Sequence, residues 1–173
     1  MRFSQLDRIV EVVRGERLLA RRALRADEPY LRDHFPHFPV MPGVLMLEAM
    51  FQAGMWLLLA TDEFAFSMVT MQSARNVKYA DFVTPGQVLT VVAEVVKRAG
   101  DVTTLKAHGT VSGQEKAETN AVSARLVLER YNLSDRYPER AASDPLLRRA
   151  MRLRYQSLCE APDPRIVPDQ PGP

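Results

Sequence analysis

The chain has 173 residues, 46% of them apolar, with 23 Lys and Arg against 21 Asp and Glu for a net charge of +2. That length suits one domain with a sizeable core plus a tail, and so small a charge, with no interleaving of basic and aromatic residues, excludes a nucleic-acid platform. Cys159 is the only cysteine, which rules out an internal disulfide or a thiolate metal cluster and fits a reducing, cytoplasmic setting.

The N-terminus, MRFSQLDRIVEVV, carries Arg2, Asp7 and Arg8 and lacks the apolar core and cleavage site of a secretory signal. Residues 7–13 and 17–25 predict two strands joined in a hairpin at Arg14-Gly15-Glu16. Residues 26–41 are a loop rich in proline and aromatics, with His34 and His37 inside HFPHFP. Loops on a rigid scaffold often carry function.

Pro42-Gly43 then opens an apolar run from Val44 to Ala60 in which only Glu48 and Gln52 are polar. Proline suits a first helical turn because its missing N–H would lack an intrahelical partner there. A helix from about Pro42 to Thr61 follows, with no obvious wet face, so it is expected to be wrapped by the rest of the chain. The run is marginally short for a membrane span and carries an acid near its start, which costs roughly 2.5–3.5 kcal/mol at a membrane centre; no membrane span is expected. Glu48 and Gln52, four residues apart, share one line of the helix. From spacing alone Glu48 is either an acid at the rim of the apolar run or a catalytic group.

Residues 64–72 and 76–83 are β-rich, Thr84-Pro85-Gly86-Gln87 is a turn, and strands follow over 88–98, 102–111 and within 116–130. Short turns imply antiparallel neighbours, so the class is α+β, with a curved antiparallel sheet covering a long central helix. From Tyr131 the composition changes. Residues 131–142 are polar and irregular, Ser143-Asp144-Pro145 is a helix-start signal, and 146–161 has helical periodicity through Leu146, Leu147, Ala150, Met151, Tyr155 and Leu158. Arg148, Arg149, Arg152 and Arg154 make that helix basic, read as a solvated face with the apolar side docked; a dock for an acidic partner is the alternative. Residues 162–173 are expected to form a disordered tail.

No phosphate-binding glycine loop, dinucleotide fingerprint, H-E-x-x-H or G-x-S-x-G is present. Asp33, His34 and His37 could crowd a metal, but nothing at ligand spacing supplies the rest of a site, so no metal or cofactor is expected. His34 taken alone is more often a hydrogen-bonded structural histidine.

HFPHFPVMPGVLMLEAMFQA resembles the signature of the hot-dog-fold 3-hydroxyacyl-[acyl carrier protein] dehydratases of fatty acid synthesis: HFP, then PG, then an acid 14 residues beyond the histidine and a glutamine four further on. VKYADFVTPGQVL resembles the family's segment leading into a P-G turn. The likeness implies a hot-dog domain over 1–130, with 131–161 as a helical extension that short members lack. It implies His34 as catalytic histidine, Glu48 as catalytic acid, Gly43 as amide donor to the thioester carbonyl, and Gln52 as a group ordering a water or the acid, with Val44 and His37 beside the substrate. It also implies a homodimer whose histidine and acid in each site come from different protomers, with some relatives assembling trimers of dimers. The substrate would be an acyl carrier protein or coenzyme A thioester. Glutamate rather than aspartate at the acid position resembles the branch that dehydrates without isomerising. Asp33 and His37 stand where the family usually has glycine, adding bulk that bears on acyl specificity.

The chemistry suits those residue types. Losing water from a 3-hydroxyacyl thioester needs a base for the C2 proton, an acid for the C3 hydroxyl and stabilisation of an enolate-like oxygen. Imidazole is poised for the first near neutrality, an acid among apolar side chains favours its protonated, donating form, and a helix N-terminus stabilises developing negative charge. Two other readings remain: a hot-dog acyl thioesterase, and a non-catalytic acyl-thioester sensor or scaffold.

Overall fold

The computed structural model describes residues 3–35, 37–113 and 117–164. Arg8–Val13 (β1) and Arg17–Ala23 (β2) form the expected antiparallel hairpin, turned by Gly15 at φ +79°, where a side chain would be strained. The expected loop that follows contains one turn of helix, Leu31–His34 (α1), and Gly43–Thr61 forms the central helix α2. Pro42 stands just outside α2 as its N-cap, with ψ 134°, rather than in its first turn.

Met68–Tyr79 (β3), Val88–Ala99 (β4), Val102–Ser112 (β5) and Thr119–Tyr131 (β6) complete one six-stranded antiparallel sheet in the order β1-β2-β4-β5-β6-β3. The two β-rich segments expected over 64–72 and 76–83 are one strand, β3, and residues 80–83 lie outside it. The reason is local. Asn76 takes φ 52° and the register against β6 slips between Arg75 and Lys78, so a bulge interrupts the apolar pattern without ending the strand.

The core fills the space between sheet and helix: Met46, Ala49, Met50, Ala53 and Leu57 of α2 meet Leu18, Leu89, Leu105, Leu126 and Leu128, all buried. At Gly54 a Cβ would lie 2.5 Å from Leu105 Cδ1, so the missing side chain is what lets α2 seat this closely on the sheet. Although α2 has the length and apolarity of a membrane span, eleven of its residues are buried and pack into the protein core, which makes it a core helix. It is not wrapped on every side. Val44 is 67% exposed, and Leu47, Glu48, Phe51 and Met55 are half-buried, leaving an apolar stripe along one face.

Beyond β6 the chain forms a short helix, Leu133–Arg136 (α3), a 3₁₀ turn at Pro138–Arg140, and the long helix Ser143–Glu160 (α4). The segment 131–142, read as irregular, is therefore partly helical, started by a reciprocal capping box between Asn132 and Asp135. Leu158 of α4 is buried and Met151 and Tyr155 pack on the core, whereas Leu146, part of the expected apolar set, is 69% exposed.

The basic face of α4 is not simply solvated. Arg148 donates to Asn132 Oδ1 (2.9 Å), Arg152 to the Glu63 carbonyl (2.9 Å) and Arg154 to Ser4 Oγ (3.0 Å). Long arginines at the edge of a docked helix reach back to the body they lie on. Asp144 does not cap its own helix. It accepts from the N–H groups of Leu133 (2.8 Å) and Ser134 (3.2 Å) and from Ser67, joining α4 to the start of α3 and to the entry of β3. Past α4, Asp163 pairs with Arg21, and residues 165–173 of the expected tail lie outside the described residues.

Candidate active site

The loop that delivers His34 is anchored by charge. Arg22, buried on β2, donates to Asp7 Oδ1 (2.8 Å) and pairs with Glu28, while Asp7 Oδ2 accepts the Ala23 N–H (2.8 Å). Burial disfavours the Arg22 charge, but Asp7 and Glu28 more than offset it and hold its proton more tightly than usual. From this base the chain turns through α1, where His34 is the last residue, its exposed ring 4.3 Å from that of Phe35. His37, two residues past Phe35, is also exposed, in a turn closed by Phe38 N–H to the Phe35 carbonyl (2.9 Å).

At the start of α2 the Pro42 carbonyl accepts the N–H groups of Leu45 (2.9 Å) and Met46 (3.4 Å), and no side chain caps the helix. The amides of Gly43 and Val44 are thus the ones helix geometry leaves for an outside acceptor, at the positive end of the dipole. Gly43 also gives a neighbouring ring room. A Cβ there would lie 3.0 Å from the ring of Tyr79, the last residue of β3, which sits against the helix start. Tyr79 belongs to VKYADF, and only the fold shows it beside Gly43.

Glu48 lies about 7.5 Å further along the axis by helical rise. Its Oε1 accepts from Gln52 Nε2 at 2.8 Å, the pairing that the four-residue spacing predicts. Gln52 is buried and fully engaged: Nε2 also donates to the Phe3 carbonyl (2.8 Å), and Oε1 accepts the Gln5 N–H (2.8 Å). The N-terminal segment is therefore part of the acid's surroundings, and no side-chain pattern announces it because its contribution is backbone.

One chain carries Gly43, Val44, Glu48 and Gln52 together on α2, with the histidines on the preceding α1 and turn. Among the described residues no hydrogen bond or ring contact joins His34 or His37 to Glu48, and none joins the Asp33 carboxylate to either imidazole. Two surface hollows, one lined by Gly15, Arg17, Glu94 and Val96 and one by Ser4, Asp7, Arg25 and Arg154, include neither His34 nor Glu48. Around the start of α2 the surface is instead apolar and open. Phe35, Phe38, Val44, Tyr79 and Phe82 are all more than half or about half exposed, Phe38 meeting Phe82 edge-on at 5.4 Å, beside the outer edge of β3.

Residues 1–120 match the family model of the FabA-like domain. A protein of Oenococcus oeni named 3-hydroxyacyl-[acyl-carrier-protein] dehydratase FabZ is 38% identical over 110 residues, which are 64% of this chain and 79% of that protein. A protein of the same name from Lactococcus lactis is 36% identical over 116 residues, 67% of this chain and 80% of its own length. Among solved structures, the dehydratase heterocomplex ApeI:P from Xenorhabdus doucetiae aligns with a TM-score of 0.57 and 18% identity over 76% of this chain and 86% of that one, a likeness that bears on the fold alone. The sheet and helix are accordingly a hot-dog fold, and α4 lies wholly outside the segment that the family model matches.

Proposed function

Because the chain belongs to the FabA-like family, we propose that it is a hydro-lyase that removes water from (3R)-3-hydroxyacyl thioesters carried on acyl carrier protein, giving trans-2-enoyl thioesters for fatty acid or related acyl-chain synthesis in the cytoplasm. The observation that carries this reading is the carboxyl of Glu48, presented by Gln52 at 2.8 Å on the same helix face that begins with the open amides of Gly43 and Val44.

In the reaction the Gly43 N–H receives the thioester carbonyl, whose oxygen gains charge as the C2–H bond breaks. The His34 imidazole takes the C2 proton, and Glu48 gives its own proton to the C3 hydroxyl, which leaves as water while the C2–C3 double bond forms. At the end His34 carries the C2 proton and Glu48 is left ionised, so passing one proton from His34 back to Glu48 restores the starting state.

The site is built from two copies of the chain, His34 of one protomer facing Glu48 of its partner. The exposed aromatic surface around Phe38, Tyr79 and Phe82, the unpaired edge of β3 and the open stripe of α2 support this, since a monomer would leave all three in water. His37 and Val44 then flank the acyl group. The half-buried Leu47, Phe51 and Met55 would line its channel.

The test is incubation with a panel of 3-hydroxyacyl-carrier-protein thioesters, followed by mass spectrometry and thiol detection. Loss of one water with the thioester intact is expected. Release of free thiol would instead indicate a hydrolase, and an unchanged substrate panel would indicate a binding protein.

A further inference from the structure

The amide of Gln52 has only one workable orientation. Turned over, its oxygen would face the Phe3 carbonyl and its NH₂ would face the Gln5 N–H, leaving two buried groups opposed rather than bonded, at a cost of roughly 1–3 kcal/mol each. The backbone of residues 3–5 therefore decides which end of Gln52 meets Glu48, and the end it presents is a donor. An oxygen that accepts this N–H has no room for a proton in the same direction. The carbonyl oxygen of a carboxyl is its better acceptor, so this bond favours Oε1 as the carbonyl and Oε2 as the oxygen that carries the proton.

The strap that does this is itself held from the far end of the chain. Ser4 Oγ accepts from Arg154 of α4 (3.0 Å) and donates to the Leu6 carbonyl (2.9 Å), and Arg8 donates to the Ala161 carbonyl just past α4 (2.6 Å). Gln5 is 1% exposed, while the Phe3 side chain is in water, so Phe3 contributes its carbonyl alone. We propose that the C-terminal extension is a positioning device for catalysis: through Arg154 and Ser4 it fixes the Phe3–Gln5 strap over Gln52, which keeps Glu48 Oε1 occupied as an acceptor and leaves Oε2 to carry the proton. This rests on the dehydratase reading but extends it, because α4 lies beyond the residues of the family match. Arg154, Ser4 and the strap are positioning residues; none touches substrate.

The experiment measures kcat and KM separately for the full-length protein, Arg154→Ala, Arg154→Lys, and a chain lacking residues 1–4, at a temperature where circular dichroism shows all four folded. Loss of one ordering hydrogen bond predicts kcat lower by about 2–13-fold in Arg154→Ala and in the truncated chain. KM stays unchanged, and Arg154→Lys, which keeps a donor for Ser4, recovers most of the loss. Arg149→Ala, which alters an exposed arginine of the same helix, leaves kcat alone. A role in stability only would lower the melting temperature without moving kcat. An active wild type whose truncated and Arg154→Ala forms keep kcat within twofold overturns the inference by itself. A wild type inactive on every 3-hydroxyacyl thioester overturns the dehydratase reading and this inference together.

Discussion

The two ends of α2 are built for different purposes. At its C-terminal end Trp56 to Ala60 are all buried, and Thr61 Oγ1 accepts the Gly15 N–H of the first hairpin (2.8 Å). There Asp62, which the negative end of the helix dipole disfavours, is paired with Arg98 (2.8 Å) and Arg130 (3.0 Å). Tyr155 of α4 meets Phe64 edge-on and lies near Trp56, with ring centroids 5.4 and 6.1 Å apart. At the N-terminal end nothing caps the helix, Val44 stands in water, and the one carboxylate is bonded by a single side chain. The contrast teaches that packing and ion pairing are concentrated away from the end to which the proposed chemistry is assigned. The open end can leave amides and an acid available because the closed end holds the helix in register.

The largest expected effect is at the open end. Glu48→Ala or His34→Ala should lower the rate by about 10²–10⁴-fold, the usual cost of a positioned acid or base, with little change in melting temperature because both side chains are at least partly exposed. Steady-state kinetics beside a thermal melt checks this, and a variant that loses stability as well as activity would blur the division between the ends.

Two glycines sharpen it further. Gly54→Ala drives a Cβ into Leu105 in the packed core, where overpacking costs about 1–3 kcal/mol and the better helix propensity of alanine returns at most about 1. The melting temperature should fall while kcat in the folded protein holds. Gly43→Ala meets only Tyr79, which is half exposed and can swing aside, so stability should hold while KM and kcat worsen. The reverse pattern would break the comparison.

The smallest effect is a pH dependence at the extension. Hydrogen bonds from Ser134 and Ser67, with the backbone amides of Leu133 and Ser134, outweigh burial and hold the Asp144 carboxyl down at about 2, below its ordinary 3.8. A folded value below the unfolded one contributes stability that is full above the unfolded value and is lost as pH falls through the folded one. Docking of α4 should therefore weaken between about pH 4 and pH 2. Fluorescence of Trp56, the single tryptophan, reports it, since the ring lies near Tyr155 of α4. The difference between wild type and Asp144→Asn should be largest near neutrality and vanish at the acid end.

Much of this was legible from the chain. The run from Val44 to Ala60 could only be a core helix, the hairpin and the last three strands follow from their turns, and Glu48 with Gln52 follows from a four-residue spacing. What was hidden is non-local or carried by backbone. Strand order placed β3 beside β6 at an edge, and the polar bulge at Asn76 disguised one strand as two. Asp144 sits in a local helix-start pattern yet caps a different helix. The hold of Phe3 and Gln5 on Gln52 uses carbonyl and amide groups that every residue possesses, so no side chain could announce it.

The central claim is that each site takes its imidazole from one protomer and its carboxyl from the other, and mixing inactive variants tests it most directly. Co-expressed in equal amounts, His34→Ala and Glu48→Ala chains should pair at random, half the dimers carrying one intact site, and recover about a quarter of wild-type activity by the arithmetic of a two-fold assembly. Activity no higher than that of either variant alone would contradict the account.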